Sequence, residues 1–204
     1  MARRRDQTAR RSQLIDAAAQ TVLDRGSTHA RLRDIAEQAG LTPASVLYYY
    51  PDVNDLLAAV FEKGTQTYAL RRRAAVEAVT GPWERLAACV RSGVPFPGEP
   101  ATTSRILYEL VPLTFRNEAV AAKQAEFFVQ QAELYREVLE AGRAEGAFRL
   151  LAPADFLARS LVALEDGYGI EVLAGSATPE DVEQRLLLHA RLVTSAAEEP
   201  SPAR

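Results

Sequence analysis

Residues 32–51 read LRDIAEQAGLTPASVLYYYP, and this stretch decides the fold. A short helix is predicted over 32–39 and ends at Gly40, since glycine adopts backbone angles that a Cβ would penalise. Thr42 is predicted to cap a second helix, 43–50, because its side chain accepts a backbone N–H and Pro43 at the first helical position needs no donor. Two short helices joined by a tight turn are typical of a helix-turn-helix.

The distribution of charge distinguishes a nucleic-acid-binding motif from a helical hairpin that binds nothing. Residues 1–50 carry eight arginines against five acidic residues, and the rest of the chain carries 16 basic and 22 acidic residues. The chain is therefore +3 followed by −6, although its total charge is only −3. A basic module attached to a larger acidic one indicates a separate partner for each, which a plain hairpin does not explain. A solubilising tail is the other interpretation of the N-terminal arginines.

The remaining sequence predicts helices throughout, so the fold class is all-α with about nine helices. Apolar residues recur at spacings of three and four, and Ala, Leu, Glu, Arg and Gln dominate between Gly and Pro. The chain divides into an N-terminal three-helix domain, 1–52, and a C-terminal helical bundle, 53–204. Besides the two helices above, we predict helices at 8–25, from 53 to about 79, and at 83–92, 102–116, 118–144, 154–173 and 179–197.

Composition argues against several classes of protein. No stretch approaches the roughly 20 apolar residues that a membrane span needs, so a cytoplasmic location is expected. One cysteine, Cys89, and two distant histidines, His29 and His189, exclude an intramolecular disulfide and a multi-thiolate metal site. There is no phosphate-binding glycine loop and no Cys-His pair within plausible reach, so we expect neither enzymatic activity, nor a cofactor, nor a metal.

Leu32–Glu62, with the sequence LRDIAEQAGLTPASVLYYYPDVNDLLAAVFE, resembles the DNA-binding core of the TetR family of transcriptional regulators. The similarity covers about Ala9–Glu62, and the C-terminal phrases EVLEAGRAEGAFR and LVALEDGYG are similar to the branch of betaine-pathway repressors. The resemblance implies a homodimer with two recognition helices in successive major grooves, and a ligand cavity in the C-terminal domain. It therefore predicts a repressor released from a palindromic operator by a small molecule. An effector-independent DNA-binding protein is the alternative.

The same resemblance assigns DNA contacts to the second short helix and to nearby arginines. Base edges would be read by a hydroxyl and apolar surface, through Thr42, Pro43, Ala44, Ser45 and Leu47. Because none of these is Arg, Asn or Gln, we expect much of the affinity to come from phosphates. The arginines expected to contact them are Arg3, Arg4, Arg5, Arg10, Arg11, Arg31 and Arg33.

The three consecutive tyrosines receive two different roles from the resemblance. Tyr48 and Tyr49 would direct their hydroxyls to DNA phosphates, where a phenol donates well. Tyr50 stands where the family usually has Phe before Pro, so its ring is expected to fill the core between the first and fourth helices. All three cannot be core, because one face of so short a helix cannot bury three consecutive side chains.

Two positions depart from the family pattern. Arg31 stands where the family usually has a Ser or Thr cap for the helix that follows, and Val53 where it usually has Lys. A helix cap and a phosphate contact are therefore expected to be missing.

Candidate ligand contacts are aromatic and acidic residues of the C-terminal part, although an aromatic at helical spacing is most often a packing residue. Pro112 has no N–H for the carbonyl one turn earlier, so a kink is expected that either opens a cavity or only steers the helix. Glu109, Glu165 and Asp166, if buried, favour a cationic or amine-bearing effector. The predicted set is Trp83, Tyr108, Glu109, Pro112, Phe128, Glu165 and Tyr168.

The last two helices carry long apolar stripes, which suggest a surface that needs a partner. In the family these two helices form a four-helix seam between the subunits of the dimer. The stripes comprise Leu157, Leu161, Leu164, Leu186, Leu187 and Val193.

Overall fold

The computed structural model describes residues 2–195, with the backbone alone for residues 2–6. Over this range the chain forms nine α-helices and no strand, which confirms the all-α prediction. One short 3-10 turn, Ser27–His29, follows the first helix. The helices are α1 (Ala2–Arg25), α2 (Leu32–Gln38), α3 (Pro43–Tyr49), α4 (Val53–Glu77), α5 (Pro82–Gly93), α6 (Glu99–Thr114), α7 (Glu118–Ala144), α8 (Ala154–Leu173) and α9 (Pro179–Thr194).

Two helix starts lie earlier than predicted. Helix α1 begins at Ala2 rather than near Thr8. Helix α6 begins at Glu99 rather than at Thr102, because Pro100 is tolerated in the first turn, where its missing N–H costs nothing. At the other end of the chain α9 stops at Thr194, and the last residues of the predicted helix, 196–197, lie outside the described residues.

The chain packs as two compact units. The first comprises the chain up to Thr67 together with Thr102–Ala125, and the second comprises Tyr68–Ala101 together with the chain from Glu126 onward. Helices α4 and α7 each contribute residues to both units. The expected boundary between residues 52 and 53 stays a prediction.

The first unit is built around a small core to which α1, α2 and α3 contribute. Helix α1 packs on α2, and α2 packs on α3. Gly64 of α4 lets α6 approach, since a Cβ at that position would lie 2.9 Å from Cδ2 of Leu107. The fully buried apolar residues of the first unit include Leu14, Ala18, Val22, Ile35, Ala36, Val46, Leu56, Val60 and Phe61.

The second unit is a larger helical core. Helices α8 and α9 pack on each other and both contact α5. The segment after α7 is fixed to the end of α9, because the Arg149 N–H donates to the Thr194 carbonyl at 2.8 Å and the Leu151 N–H to the Val193 carbonyl at 3.0 Å. The buried residues of the second unit include Leu86, Val90, Leu134, Tyr135, Leu139, Leu157, Leu161, Val162 and Leu186.

Candidate nucleic-acid interface and buried charge network

Helix α3 starts as the sequence predicts. The Thr42 side chain accepts a hydrogen bond from the Ser45 N–H at 3.2 Å, and Pro43 occupies the first turn. Gly40 in the preceding turn has φ 65°, the left-handed region that glycine adopts at little cost. The Leu41 N–H then donates to the Ala36 carbonyl at 2.8 Å, which closes the end of α2.

One residue, Val46, anchors the inner face of α3. Val46 is buried, as are Ile35 and Ala36 on α2, and the two helices pack together. The turn between them is held from α1, because Nε2 of Gln13 donates to the carbonyl of Ala39 at 3.0 Å. The packing of α2 on α3 determines which side of α3 faces solvent.

The predicted base-reading residues lie on the outer side of α3 and at its start. Thr42, Pro43 and Ala44 are exposed, Leu47 is 40% exposed, and Ser45 is half-buried. The hydroxyls of Thr42 and Ser45 lie 2.9 Å apart and bond to each other. The surface therefore offers two hydroxyls beside apolar groups, and the assignment of base contacts to it stays a prediction.

The three tyrosines divide as expected between surface and core. Tyr48 is 68% exposed and Tyr49 is half-buried, with their rings edge to face at a centroid distance of 5.1 Å. Tyr50 is 7% exposed, and the guanidinium carbon of Arg11 lies 5.1 Å from its ring centroid. Burial raises the pKa of Tyr50, against the lowering effect of Arg11. The core role of Tyr50 is confirmed, whereas the phosphate contacts of Tyr48 and Tyr49 stay predictions.

Arginines flank the same module. Arg31 and Arg33 are exposed at the start of α2. Arg31 precedes that helix without a side-chain hydrogen bond to it, so the missing cap is confirmed. Arg10 donates to the Gln13 side chain at 2.8 Å. The side chains of Arg3, Arg4 and Arg5 lie outside the described residues.

Three of the predicted ligand contacts lie in the first unit, on α6. Tyr108 and Glu109 are half-buried, whereas Pro112 is exposed in the last turn of the helix. Oε2 of Glu109 accepts a hydrogen bond from the N–H of Ser27 at 3.1 Å, so this carboxylate already holds the start of the 3-10 turn after α1. A ligand contact at these positions stays a prediction.

The other four predicted contacts lie in the second unit. Trp83, Phe128 and Tyr168 are partly buried and pack against its core, which agrees with the packing role of most helical aromatics. Arg191 lies over the Trp83 ring at 4.2 Å from its centroid. Glu165 is 5% exposed, so the burial on which the cationic-effector prediction depended is present.

The carboxylate of Glu165 has a cation within its own chain. Arg72, 0% exposed, donates from Nη2 to Oε1 of Glu165 at 2.8 Å. The hydroxyl of Tyr135 donates to the same carboxylate oxygen. Nη1 of Arg72 donates to Oε1 of Gln131 at 3.0 Å, and Nη2 donates to the Cys89 carbonyl at 3.1 Å. A buried charge network therefore fastens α4, α5, α7 and α8 together.

Burial shifts the pKa values of the ionisable groups in this network. Burial raises the pKa of Glu165 to about 7, against the lowering effects of Arg72 and of the Tyr135 hydrogen bond. Burial alone would lower the pKa of Arg72, but the neighbouring Glu165 raises it well above its usual value. Burial also raises the pKa of the Cys89 thiol to about 11, so this cysteine stays protonated at neutral pH.

Sequence reasoning missed the partner of Glu165, although one signal was present. Tyr68, Arg72 and Val76 recur at a spacing of four on α4, which places Arg72 on the face that carries buried residues before and after it. A charged residue on an apolar helix face predicts a buried partner, but the partner's identity requires the tertiary structure.

The described residues contain no cluster of three or more His, Cys, Asp or Glu side chains that would hold a metal ion. Among the same residues, no helix is both long and apolar enough to cross a membrane.

The family match lies in the N-terminal part of the chain. Residues 14–60 match the family described as Bacterial regulatory proteins, tetR family. The HTH-type transcriptional regulator BetI of Brucella suis biovar 1 (strain 1330) is 33% identical over 81 residues, which are 40% of this chain and 41% of that protein. BetI of Brucella abortus (strain 2308) is 32% identical over 81 residues. The chain thus matches 41% of the length of these curated relatives.

Solved structures match almost the whole chain at lower identity. A transcriptional regulator from Saccharomonospora viridis, in complex with choline, superposes with a TM-score of 0.84 at 23% identity and covers 94% of this chain and 100% of that one. A TetR transcription regulator from Haloarcula marismortui ATCC 43049 has a TM-score of 0.79 at 22% identity and covers 93% and 98%. At such identities the likeness establishes a common fold.

Fold and site together define an all-helical protein with an N-terminal helix-turn-helix and a second helical unit that has its own core. The sequence match over residues 14–60 is more specific. This region of the chain is similar to the tetR family of bacterial regulatory proteins.

Proposed function

We propose that the chain is a transcriptional regulator that inserts α3 into the major groove of duplex DNA. The observation that carries this proposal is the two-sided character of α3: Val46 anchors its inner face, while Thr42, Ala44, Leu47 and Tyr48 are exposed. A capped, rigidly packed helix with an outward face suits base reading, because the groove admits one α-helix.

Phosphate contacts supply the positioning in this proposal. Arg31 and Arg33 are exposed beside α3, and the hydroxyl of Tyr48 is accessible at its end. Phosphate contacts fix the register of a protein on DNA, whereas the sequence preference comes from the bases. Arginine contacts should add to the salt dependence of binding, and a neutral phenol should not.

The replacement Tyr48→Phe tests the role of the exposed hydroxyl. We expect duplex DNA enriched by this protein from a random library to bind about three- to tenfold more weakly, because one hydrogen bond to a charged oxygen is lost. Folding should be unaffected, since the ring is mostly in solvent. The matched control is Tyr168→Phe in the second unit. Affinity equal to that of the wild type at the same salt concentration would remove Tyr48 from the interface.

A repressor function, controlled by a small-molecule effector, completes the proposal. The family match supports regulation, and the choline bound to the Saccharomonospora viridis protein supports a ligand in this fold. That choline is also the support for a cationic or amine-bearing effector, because the buried Glu165 already has Arg72 as its cation. The alternative, an effector-independent DNA-binding protein in the cytoplasm, would bind DNA with a steep salt dependence and little sequence preference.

Dimerisation through α8 and α9 is part of the same proposal, with a corrected set of residues. Leu157, Leu161 and Leu186 of the predicted seam are buried in the chain's own core, and Leu164, Leu187 and Val193 pack against it. A different set of apolar residues on the same two helices faces solvent. The exposed apolar residues of the two helices are Phe156, Ile170, Leu188 and Leu192. Exposed apolar residues on neighbouring helices suit a partner surface of the same kind.

A further inference from the structure

The second unit contains an apolar hollow that none of the predicted ligand contacts lines. Its volume is about 540 Å³, within the range of small-molecule sites. It is formed by α4, α5, the segment that follows α5 and the first turn of α6, and it is lined by Arg71, Ala75, Ala88, Arg91, Ser92, Val94, Phe96, Pro97 and Pro100.

The charges on the wall of this hollow are of one sign. Arg71 and Arg91 are its charged lining residues, and no acidic side chain lines it. The rest of the wall is apolar except for Ser92. An apolar cavity with guanidinium groups on its wall is complementary to a molecule that has an apolar body and an anionic head.

Arg71 is held where it can receive such a head group. Its Nη2 donates to the Ser92 carbonyl at 3.2 Å, and its guanidinium carbon lies 5.0 Å from the ring centroid of Tyr68. Nε of Arg71 is buried and has no hydrogen-bond partner.

The carboxylate that now pairs with Arg71 is replaceable. Nη1 of Arg71 donates to Oε2 of Glu99 at 2.7 Å, but the Glu99 side chain is 50% exposed. Solvent reaches the Glu99 side of this ion pair, whereas the Arg71 side chain is 23% exposed, so a ligand carboxylate can compete for Arg71 from the solvent side. Arg91 is engaged differently, since Nη1 contacts both carboxylate oxygens of Glu183 and the guanidinium lies over Phe96 at 4.6 Å.

We propose that this hollow binds a small amphipathic organic anion, with a carboxylate-like head on Arg71 and an apolar body against Ala75, Ala88 and Phe96. The proposal concerns ligand binding by the second unit. It holds or fails independently of DNA recognition by α3.

Calorimetric titration of the full chain with three probes that share one apolar tail tests the sign of the head group. The probes are decanoate, decanol and decyltrimethylammonium. Decanoate should bind at least about tenfold more tightly than the other two, the equivalent of one charge-assisted hydrogen bond. Equal or tighter binding of decyltrimethylammonium would overturn the proposal.

Substitutions in and around the hollow test whether decanoate binds there. Arg71→Gln should weaken decanoate binding about tenfold, and Ala75→Phe should abolish it by filling the hollow. Glu99→Gln should strengthen it, because the competing carboxylate is removed. The matched control is Arg73→Gln, which removes an exposed arginine two residues away that pairs with Glu137. Equal effects of Arg71→Gln and Arg73→Gln, in proteins with unchanged helical circular dichroism, would contradict the assignment.

A bilayer presents the same chemistry as a free amphipathic acid, so vesicles distinguish the two sources. The protein should not sediment with phosphatidylglycerol vesicles, because the hollow accommodates one tail rather than a lipid surface. Sedimentation with the vesicles without binding of monomeric decanoate would assign this surface to a membrane and refute the proposal.

Discussion

Arg72 carries its charge in an apolar core because surrounding groups replace the water that it loses. Its guanidinium donates to Gln131, to the Cys89 carbonyl and to Glu165, and it lies 4.8 Å from the Tyr135 ring centroid. Nε of Arg72 remains buried without a partner. Because burying two charges is costly, such a pair is sensitive to the loss of either member.

Removal of Arg72 should therefore be severe. Arg72→Leu leaves the Glu165 carboxylate buried without its cation, and we expect the free energy of unfolding to fall by about 3–5 kcal/mol. Arg73→Leu removes the neighbouring exposed arginine, paired with Glu137, and should cost about 1 kcal/mol or less. Urea denaturation measures both. Similar losses in the two variants would show that the buried pair has no special role.

The pH dependence of stability should reflect the titration of the Glu165 carboxyl group. Burial raises its pKa from 4.5 to about 7 in the folded protein, so the folded state holds a proton that the unfolded chain releases. The contribution of this group to the free energy of unfolding is therefore complete below pH 4.5 and is lost as the pH rises through about 7. Glu165→Gln should flatten the stability curve over that range, and the exposed control Glu137→Gln should not. An unchanged slope in Glu165→Gln would place the titration elsewhere.

Residue roles that depend on local chemistry were predictable from the sequence. The Thr42 cap and the left-handed Gly40 follow from neighbours a few positions away, whereas the buried Tyr50 follows from the family resemblance. The Arg72–Glu165 pair was not predictable, because its members are 93 positions apart and meet only through the packing of α4 on α8. Glu165 was recognised as a buried-carboxylate candidate, but its partner was not.

At the scale of elements, the breaks between helices lie at or near glycines and prolines of the sequence. Gly26, Gly40, Gly81 and Gly146 have positive φ and lie in breaks between helices, as the sequence predicts. The start of α1 was placed too late because Asp6 and Thr8 are residue types that favour helix N-caps, although the helix continues through both of them. Helix existence was thus more predictable than helix ends.

Two helices offer a matched test of capping. Thr42 caps α3 by accepting from the Ser45 N–H, and Thr178 caps α9 by accepting from the Asp181 N–H at 3.1 Å, with a proline at the next position in both. Thr42→Ala and Thr178→Ala should each lower the free energy of unfolding by about 1 kcal/mol. Only Thr42→Ala should also weaken DNA binding, since α3 carries the proposed interface. Equal DNA affinity of the two variants would separate α3 from DNA recognition.

At the scale of the whole molecule, the exposed apolar residues of α8 and α9 predict self-association. The wild-type protein should sediment at twice the chain mass, and the double variant Leu188→Glu, Leu192→Glu at the chain mass, because two charges would be buried in the seam. Leu70→Glu alters an equally exposed leucine on α4 and serves as the control. Sedimentation equilibrium would contradict this seam if the double variant remained dimeric.

The central claim is that α3 reads the base sequence of duplex DNA, and selection from a random duplex library tests it most directly. The wild-type chain should enrich a sequence with two inverted half-sites about one helical turn apart. The variants Ser45→Ala and Leu47→Ala should change the enriched bases, while Thr178→Ala should not. Failure to enrich any sequence, or the same enriched sequence with and without the α3 substitutions, would contradict the claim.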